Sequence, residues 1–154
     1  MAMPVKESFQ SRLLRWRLNF FPAYRRTGAR ITFIAADQRE VRIALPLDWR
    51  TRNYVGTTFG GSIYAAIDPI LMVMFIRLLG PDFIVWLKSA RIQFRQPARS
   101  TLSASFRVDI EELEAIRLGV ENESKLEREY HIEAVDAQGR LCAVVDQILY
   151  FRKK

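Results

Sequence analysis

The chain has 154 residues, a net charge of +7, and a composition of 49% hydrophobic and 27% charged residues, which predicts one globular domain over residues 1–154. A single cysteine and a single histidine exclude an internal disulfide framework and a structural zinc site, so we expect no metal and a cytoplasmic location. The basic charge suits nucleic acid, anionic membranes and phosphorylated ligands alike. Because dense basic runs and the aromatic pattern of RNA-binding sheets are missing, we expect no nucleic-acid partner.

Residues 6–21 have the pattern of an amphipathic helix. Phe9, Leu13, Trp16 and Phe20 recur at helical spacing, with basic residues on the other faces. The arginines also interrupt any apolar core of signal-peptide length. Two explanations fit the apolar stripe: a helix on a membrane surface, or a helix laid across the body of its own domain. We favour the second.

Two strands are predicted after this helix. Residues 29–36 and 40–45 flank the polar turn Asp37-Gln38-Arg39, and the second segment alternates apolar residues with others. The pattern indicates a β-hairpin.

The segment from Asn53 to Leu79 carries the clearest functional signal. The loop Asn53-Tyr54-Val55-Gly56-Thr57-Thr58-Phe59-Gly60-Gly61 leads into residues 62–79, whose apolar side chains recur at the spacing of a buried helix. Gly60 and Gly61 lie where the first helical N–H groups have no intrahelical partner, a position suited to stabilising an oxyanion. Asp68 lies within the apolar run, where an unpaired carboxylate is costly. It is either catalytic or a structural residue that caps a backbone group or pairs with an arginine.

Pro69 and the length of the apolar run each leave a choice. Pro69 either kinks one continuous helix and opens a cavity beside Asp68, or ends a short first helix. The run is long enough to span a bilayer, but Asp at the centre of a spanning helix costs about 3 kcal/mol. We therefore expect a core helix and no membrane span.

The rest of the chain predicts further strands and one short helix. The strands cover residues 83–94, 102–108, 129–135 and 141–151, and the helix covers residues 110–121. Two strands, a buried helix and four more strands form the element order of an α+β protein with one antiparallel sheet wrapped around a helix.

The central loop and helix resemble those of the hotdog-fold acyl-CoA thioesterases of the phenylacetate-pathway type. The pattern is Asn-x-x-Gly-x-x-His-Gly-Gly with an aspartate nine residues after the histidine. Asn53, Gly56, Gly60, Gly61 and Asp68 match it, whereas Phe59 stands at the histidine position. The resemblance covers about residues 25–152 and implies a hotdog fold in a poorly characterised branch.

The resemblance also implies a site shared between two chains of a homodimer or a dimer of dimers. Gly60 and Asp68 are about 12 Å apart along one helix, too far for one thioester carbonyl to contact both. Packing two such helices antiparallel across a two-fold axis brings Asp68 of one chain near Gly60 of the other. Gly60 and Gly61 would then hold the thioester oxygen, Asp68 would act as base or nucleophile, and Asn53 would fix the loop or polarise the water.

The substrate side of this interpretation rests on side-chain chemistry. Phe59, Met72, Met74 and Phe75 would line the acyl group or simply pack in the core, and Thr58 offers a hydroxyl near the helix start. Coenzyme A phosphates would be contacted by basic residues that otherwise belong to a solvated strand face: Arg91, Arg95 and Arg99.

Together these features predict an acyl-CoA thioesterase without a cofactor, acting on an acyl-CoA or acyl-carrier thioester. The alternative is a non-catalytic acyl-CoA-binding or structural hotdog protein, which the replacement of the motif histidine by Phe59 favours.

Overall fold

The structure, a computed structural model, describes residues 6–154; residues 1–5, at the start of the segment for which we predict no signal sequence, lie outside the described part. In chain order the elements are α1 (Phe9–Phe20), α2 (Pro22–Arg26), β1 (Arg30–Ile34), β2 (Glu40–Leu45), α3 (Gly60–Leu79), β3 (Phe83–Phe94), β4 (Leu102–Arg107), α4 (Ile110–Glu123), β5 (Lys125–Val135) and β6 (Leu141–Lys153).

The six strands form one antiparallel sheet in the order β1-β2-β4-β5-β6-β3. The long helix α3 packs against one face of this sheet, chiefly against β3, β2 and β6. This arrangement confirms the predicted α+β class with an antiparallel sheet around a central helix.

The core lies between α3 and the sheet. One side of α3 is buried through Ile63, Ile67, Ile70 and Met74, and burial of each such side chain contributes about 1.5–3 kcal/mol. The helix runs unbroken through Pro69, so the alternative in which Pro69 ends a short first helix is wrong. It has the length and apolar composition of a membrane span, but its buried side packs in the core as in other core helices.

The N-terminal region forms two helices where one over residues 6–21 is predicted. Ser8 caps α1 through a reciprocal pair of hydrogen bonds with Ser11. The chain then turns at Phe21, whose backbone is extended, and Pro22 starts α2 at the first helical position.

The predicted packing of the apolar stripe of α1 is wrong. Its four side chains are exposed by between 49% and 75%: Phe9, Leu13, Trp16 and Phe20. The helix does lie on its own domain, but through the opposite side, where Ser11 is buried and Leu14 and Leu18 pack against the core. Helical spacing identifies an apolar face without saying which of two faces meets the sheet.

The remaining differences lie at element ends. The predicted helix over 110–121 extends to Glu123 and ends at Ser124 in the left-handed conformation. The strand predicted to begin at residue 129 begins at Lys125, because its first residues pair with the end of β6. Helix α4 covers this region through Leu113, Ile116 and Val120.

Candidate functional site

The loop before α3 is held in shape by Asn53. Its Oδ1 accepts hydrogen bonds from the backbone N–H groups of Val55 (3.1 Å) and Thr57 (2.9 Å), and its Nδ2 donates to Thr57 Oγ1 (2.8 Å). Gly56, with φ of +82°, allows the turn between them. All the polar atoms of the Asn53 side chain are therefore engaged within the loop, so the loop-fixing role fits its geometry better than polarisation of a water.

The start of α3 has no side-chain cap. Phe59 is the N-cap residue and supplies no side-chain hydrogen bond; its carbonyl accepts from the N–H groups of Ser62 and Ile63. Among residues 6–154, the first N–H groups of α3 therefore have no side-chain acceptor. A helix start of this kind favours a negatively charged ligand atom.

Two aromatic rings explain why glycine occupies both first positions of α3. A Cβ at Gly60 would lie 2.7 Å from the Phe94 ring, and a Cβ at Gly61 would lie 2.5 Å from the Phe59 ring. Both rings are more than half exposed. Phe94 is thus a candidate site residue that sequence reasoning missed, because it lies at the end of β3, 34 positions beyond Gly60.

A shallow cavity of about 390 Å³ lies at this helix start. The structure brings four of the predicted site residues together around it: Asn53, Thr58, Gly60 and Arg95. The rest of its wall consists of Thr57, Ile63, Phe94 and the segment Gln96-Pro97-Ala98. Asp68, two turns further along α3, does not line this cavity.

The Asp68 side chain is half-buried. Tyr64, one turn earlier on α3, donates a hydrogen bond from its hydroxyl to Asp68 Oδ1 (2.8 Å). Burial, and then the nearby Asp68 carboxylate, raise the pKa of Tyr64 to about 12, so this hydroxyl keeps its proton at neutral pH. Within residues 6–154 Asp68 forms no salt bridge, which leaves the predicted arginine pairing without support.

Gln147 of β6 is a second residue that sequence reasoning missed. It is fully buried, and its Nε2 donates to the backbone carbonyl of Asp68 (3.3 Å). Its Oε1 is buried without a hydrogen-bond partner among the described residues. A glutamine between the buried Val145 and Leu149 breaks the inward apolar pattern of β6, and that interruption is the signal that could have identified it.

Beyond Asp68, an apolar cavity of about 350 Å³ separates α3 from the N-terminal helices and the β1–β2 hairpin. Pro69, Met72, Val73 and Met74 line it from α3. The cavity borders Pro69 but is not lined by Asp68, so the predicted opening at the carboxylate itself stays a prediction.

The other predicted substrate residues are dispersed. Phe75 is fully buried in the core, with its ring 5.1 Å from those of Tyr130 and Phe151, and so cannot contact an acyl group in this arrangement. Met72 lines the apolar cavity, whereas Phe59 lies at the helix start. The three predicted phosphate-binding arginines are exposed, and only Arg95 lines the cavity at the start of α3: Arg91, Arg95 and Arg99.

No cluster of three or more His, Cys, Asp or Glu side chains is placed to hold a metal ion within the described range 6–154. Those residues offer instead a helix start for an anion, a carboxylate that makes no salt bridge among them, and an apolar cavity. These groups suit polar addition chemistry at a carbonyl attached to an apolar chain.

Comparison with known proteins identifies both a family and a fold. The model of a family described as a domain of unknown function, DUF4442, matches residues 10–150. No curated protein matches the chain.

Solved structures resemble it over nearly all of its length. PA5026 from Pseudomonas aeruginosa, a protein of unknown function described as a probable thioesterase, has a TM-score of 0.85 at 19% identity, covering 98% of this chain and 100% of its own. Thioesterase HI1161 from Haemophilus influenzae has a TM-score of 0.71 at 18% identity, covering 98% and 96%. The PaaI protein of the E. coli phenylacetic acid degradation operon has 0.63 at 16%, covering 95% and 92%. The shared fold is the hotdog fold.

Proposed function

The chain belongs to the DUF4442 family, and from that premise and the geometry above we propose that it is a thioester hydrolase whose active site is shared between two copies of the chain. The main support is the half-buried Asp68 carboxylate without a salt bridge in residues 6–154, on the same helix as an uncapped glycine start. Its substrate is an acyl-CoA or acyl-carrier thioester. The thioesterase descriptions of structurally similar proteins agree with this class of reaction.

Gly60 is the oxyanion donor in this proposal. When a nucleophile adds to the thioester carbonyl carbon, negative charge develops on the carbonyl oxygen, and preorganised N–H donors stabilise that charge more than they stabilise the ground state. The Gly60 N–H, assisted by that of Gly61, is free of a side-chain acceptor. The loop hydrogen bonds of Asn53 hold this donor in place, which makes Asn53 a positioning residue.

Asp68 activates the nucleophile. As a general base it takes a proton from water while the water oxygen bonds to the carbonyl carbon; the C–S bond then breaks, and the thiolate is protonated. As a nucleophile it adds to the carbonyl itself, and water later hydrolyses the resulting anhydride. Both routes give a carboxylic acid and a thiol. The Tyr64 hydroxyl orients the carboxylate at 2.8 Å in either case.

Two copies of the chain are needed because Gly60 and Asp68 are about 12 Å apart on one continuous helix. The outer side of α3 carries Gly61, Ala65 and Ile76, which the sheet leaves exposed or half-buried. Antiparallel packing of two such helices brings Asp68 of one copy toward Gly60 of the other. The assembly is thus a homodimer or a dimer of dimers.

The carrier arm of the substrate extends past the start of α3. Arg95 lines the cavity there and has no ion-pair partner among residues 6–154, so its guanidinium is available to a phosphate group. Arg91 and Arg99 lie on either side of it in the sequence and are exposed. They would contribute through long-range attraction.

A non-catalytic acyl-thioester-binding protein is the second candidate function. It is favoured by Phe59, which stands at the position of the motif histidine and packs its ring at the start of α3. A protein that has lost a group orienting the thioester would keep the cavity and the helix start, and so could bind the thioester. It would no longer hydrolyse the thioester at the rate of an enzyme.

Replacement of Asp68 separates the two functions. Asp68→Asn keeps the size of the side chain and removes the basic oxygen, so kcat should fall about 10²-fold or more for a hydrolase. Hydrolysis of an acyl-CoA series, followed with a thiol-reactive dye, measures the effect, and thermal unfolding of the same preparation reports folding. Asp82→Asn, an exposed aspartate after α3, is the matched control and should retain the parent rate.

Two results would contradict the hydrolase. A folded Asp68→Asn variant with the parental kcat would exclude Asp68 as the activating group. Binding of acyl-CoA without any hydrolysis by the parent protein would favour the second candidate.

A further inference from the structure

The apolar cavity of about 350 Å³ is lined by side chains of α1, α2, the β1–β2 hairpin and α3. The lining includes Leu14 and Leu18 of α1, Tyr24 of α2, Ile34 of β1, and Met72 and Val73 of α3. The volume lies at the lower end of the range of about 300–1,000 Å³ for small-molecule sites.

The position of this cavity relates it to the proposed reacting group. Pro69 directly follows Asp68, and Met72 is one turn beyond it, about 5–6 Å along the axis. A chain attached to a carbonyl at Asp68 therefore reaches the cavity within a few carbon–carbon bonds.

The lining is apolar except for three side chains, and each of these makes a hydrogen bond within the described residues. The two polar side chains at the far end bond to each other, with Arg77 Nε donating to Gln38 Oε1 (2.6 Å). The Tyr24 hydroxyl donates to the Ala66 carbonyl (3.2 Å). A polar group placed among the apolar side chains of the lining would lose its hydration without compensation.

We propose that this cavity beneath the N-terminal helices binds an unsubstituted aliphatic tail, so that the substrate class is a medium- or long-chain fatty acyl thioester. This assignment rests on the proposed function for the carbonyl end of the ligand. The tail site differs from the predicted set, because Met72 and Met74 line it whereas Phe75 and Phe59 do not.

The proposal predicts how the affinity for a ligand depends on the length of its aliphatic chain. Each methylene that enters the cavity should strengthen binding about fourfold, the equivalent of about 0.8 kcal/mol per buried CH₂, until the cavity is full. Calorimetric titration with CoA thioethers from ethyl to hexadecyl, which have no cleavable carbonyl, gives the dissociation constants. Binding is measured without hydrolysis, so a failure of the thioesterase proposal leaves this test intact.

Filling the cavity should shorten the accepted chain. Val73→Phe adds an aromatic ring to the lining, and we expect at least tenfold weaker binding of the longest thioethers with unchanged binding of the shortest. Leu118→Phe, on the exposed side of α4, is the matched control and should keep the parental series. Affinity independent of chain length, or equal weakening of all lengths by Val73→Phe, would overturn the tail site.

A second, independent observation concerns the outer face of α1. Phe9, Leu13, Trp16 and Phe20 form one exposed apolar stripe, which Phe21 extends beyond the end of the helix. Between Lys6 and Arg30 the only acidic residue is Glu7, against seven basic residues: Lys6, Arg12, Arg15, Arg17, Arg25, Arg26 and Arg30. Glu7 is itself paired with Arg15.

Arg25, Arg26 and Arg30 lie where the stripe ends, whereas Arg12, Arg15 and Arg17 lie along α1 itself. Arg25, Arg26 and Arg50 line one shallow cavity with Pro22, and a neighbouring cavity adds Phe20 and Arg30. An exposed apolar stripe bordered by cations matches the surface of a bilayer that contains anionic lipids. A second copy of the chain fits less well, because its own α1 would bring like charges together.

We infer that α1 and α2 dock on an anionic membrane surface, with the apolar stripe among the acyl chains and the arginines at the headgroups. Flotation with vesicles of phosphatidylcholine alone, and with about a third phosphatidylserine, measures this. We expect binding only to the anionic vesicles. Arg12→Gln and Arg17→Gln should each weaken binding about fivefold, the equivalent of about 1 kcal/mol per residue.

Substitutions in the apolar stripe test whether it contacts a membrane or a second copy of the chain. Trp16→Ser with Phe20→Ser should weaken vesicle binding at least tenfold while leaving the oligomeric state unchanged, and Leu118→Ser on α4 should have no effect. Equal binding of the parent to both vesicle types, or to neither, would overturn the inference. A loss of oligomers in the double variant would assign the stripe to self-association instead.

Discussion

The two edges of the sheet differ in whether their outward backbone groups have hydrogen-bond partners. At the β1 edge, side chains of the N-terminal region occupy the outward backbone groups: Asn19 bonds both the N–H and the carbonyl of Ile31 (2.8 and 2.9 Å), and Glu7 Oε1 accepts from the Ile34 N–H (2.9 Å). At the other edge β3 pairs only with β6. Its 12 residues have no strand on their outer side within the described chain.

This difference indicates the sheet edge at which a second copy of the chain would pair. An exposed strand edge is a template for pairing with another chain, and proteins normally block it. Strand β1 has only five residues, yet its edge is blocked by a capped helix, an asparagine and an ion-paired glutamate. A 12-residue edge left open at β3 therefore favours strand pairing between two copies, in agreement with the shared active site proposed above.

Interrupting β3 should have the largest effect. Backbone N–H groups of a strand point alternately to its two sides, so of Ala90→Pro and Arg91→Pro one removes an outward donor and the other a donor to β6. We expect the outward variant to remain folded but monomeric, with hydrolysis reduced at least 10²-fold. The inward variant should instead unfold at a lower temperature. Light scattering and thermal unfolding distinguish the two. If both variants remain dimers with parental activity, β3 is not the pairing edge.

Removing the block at β1 should have an intermediate effect. Asn19→Ala leaves the N–H and carbonyl of Ile31 without their side-chain partner, which should lower the free energy of unfolding by about 1–3 kcal/mol. Urea unfolding measures this, with Asn122→Ala, an exposed asparagine of α4, as the control. The dimer should persist. A change of oligomeric state in Asn19→Ala would mean that the β1 edge also takes part in assembly.

The smallest expected effect is the pH dependence of the Glu7 contact. Burial by itself raises the pKa of Glu7, but hydrogen bonds from Arg15 and the Ile34 N–H outweigh it and hold the pKa below its usual range. With a depressed folded-state pKa, the stability contributed by Glu7 is complete above the unfolded pKa, about 4.3. It is lost as the pH falls through the folded value.

Glu7→Gln tests this contribution, because the amide keeps an acceptor for Ile34 but cannot ionise. Urea unfolding at a series of pH values between 7 and 3 should show a shallower loss of stability below about pH 4 in the variant than in the parent. Parallel curves for the two proteins would show that the carboxylate contributes nothing to closing this edge.

The order of helices and strands was predictable from local patterns. Alternation of apolar and other residues over 40–45 and helical spacing over 62–79 each report which side chains share a face, and the structure has a strand and a helix at these places. The pattern predicts the wrong packing side for α1, because Leu14 and Leu18 form a second apolar face that helical spacing does not rank below the first.

The candidate site was predictable only where its residues lie close together in the chain. Asn53, Gly60 and Asp68 belong to one loop and one helix, so their spacing carries their relation. Gln147 meets the carbonyl of Asp68 from 79 positions away, and Phe94 covers Gly60 from the end of β3.

The sequence by itself therefore determined the hydrophobic periods, the uncapped glycine start and an acid within an apolar helix, because each is a property of neighbours along the chain. Only the tertiary structure decided the cavity beside Pro69, the closed β1 edge and the exposed stripe of α1. Each of these depends on which of two compatible faces packs on the sheet, and that choice is made by the summed burial and hydrogen bonding of segments far apart in sequence.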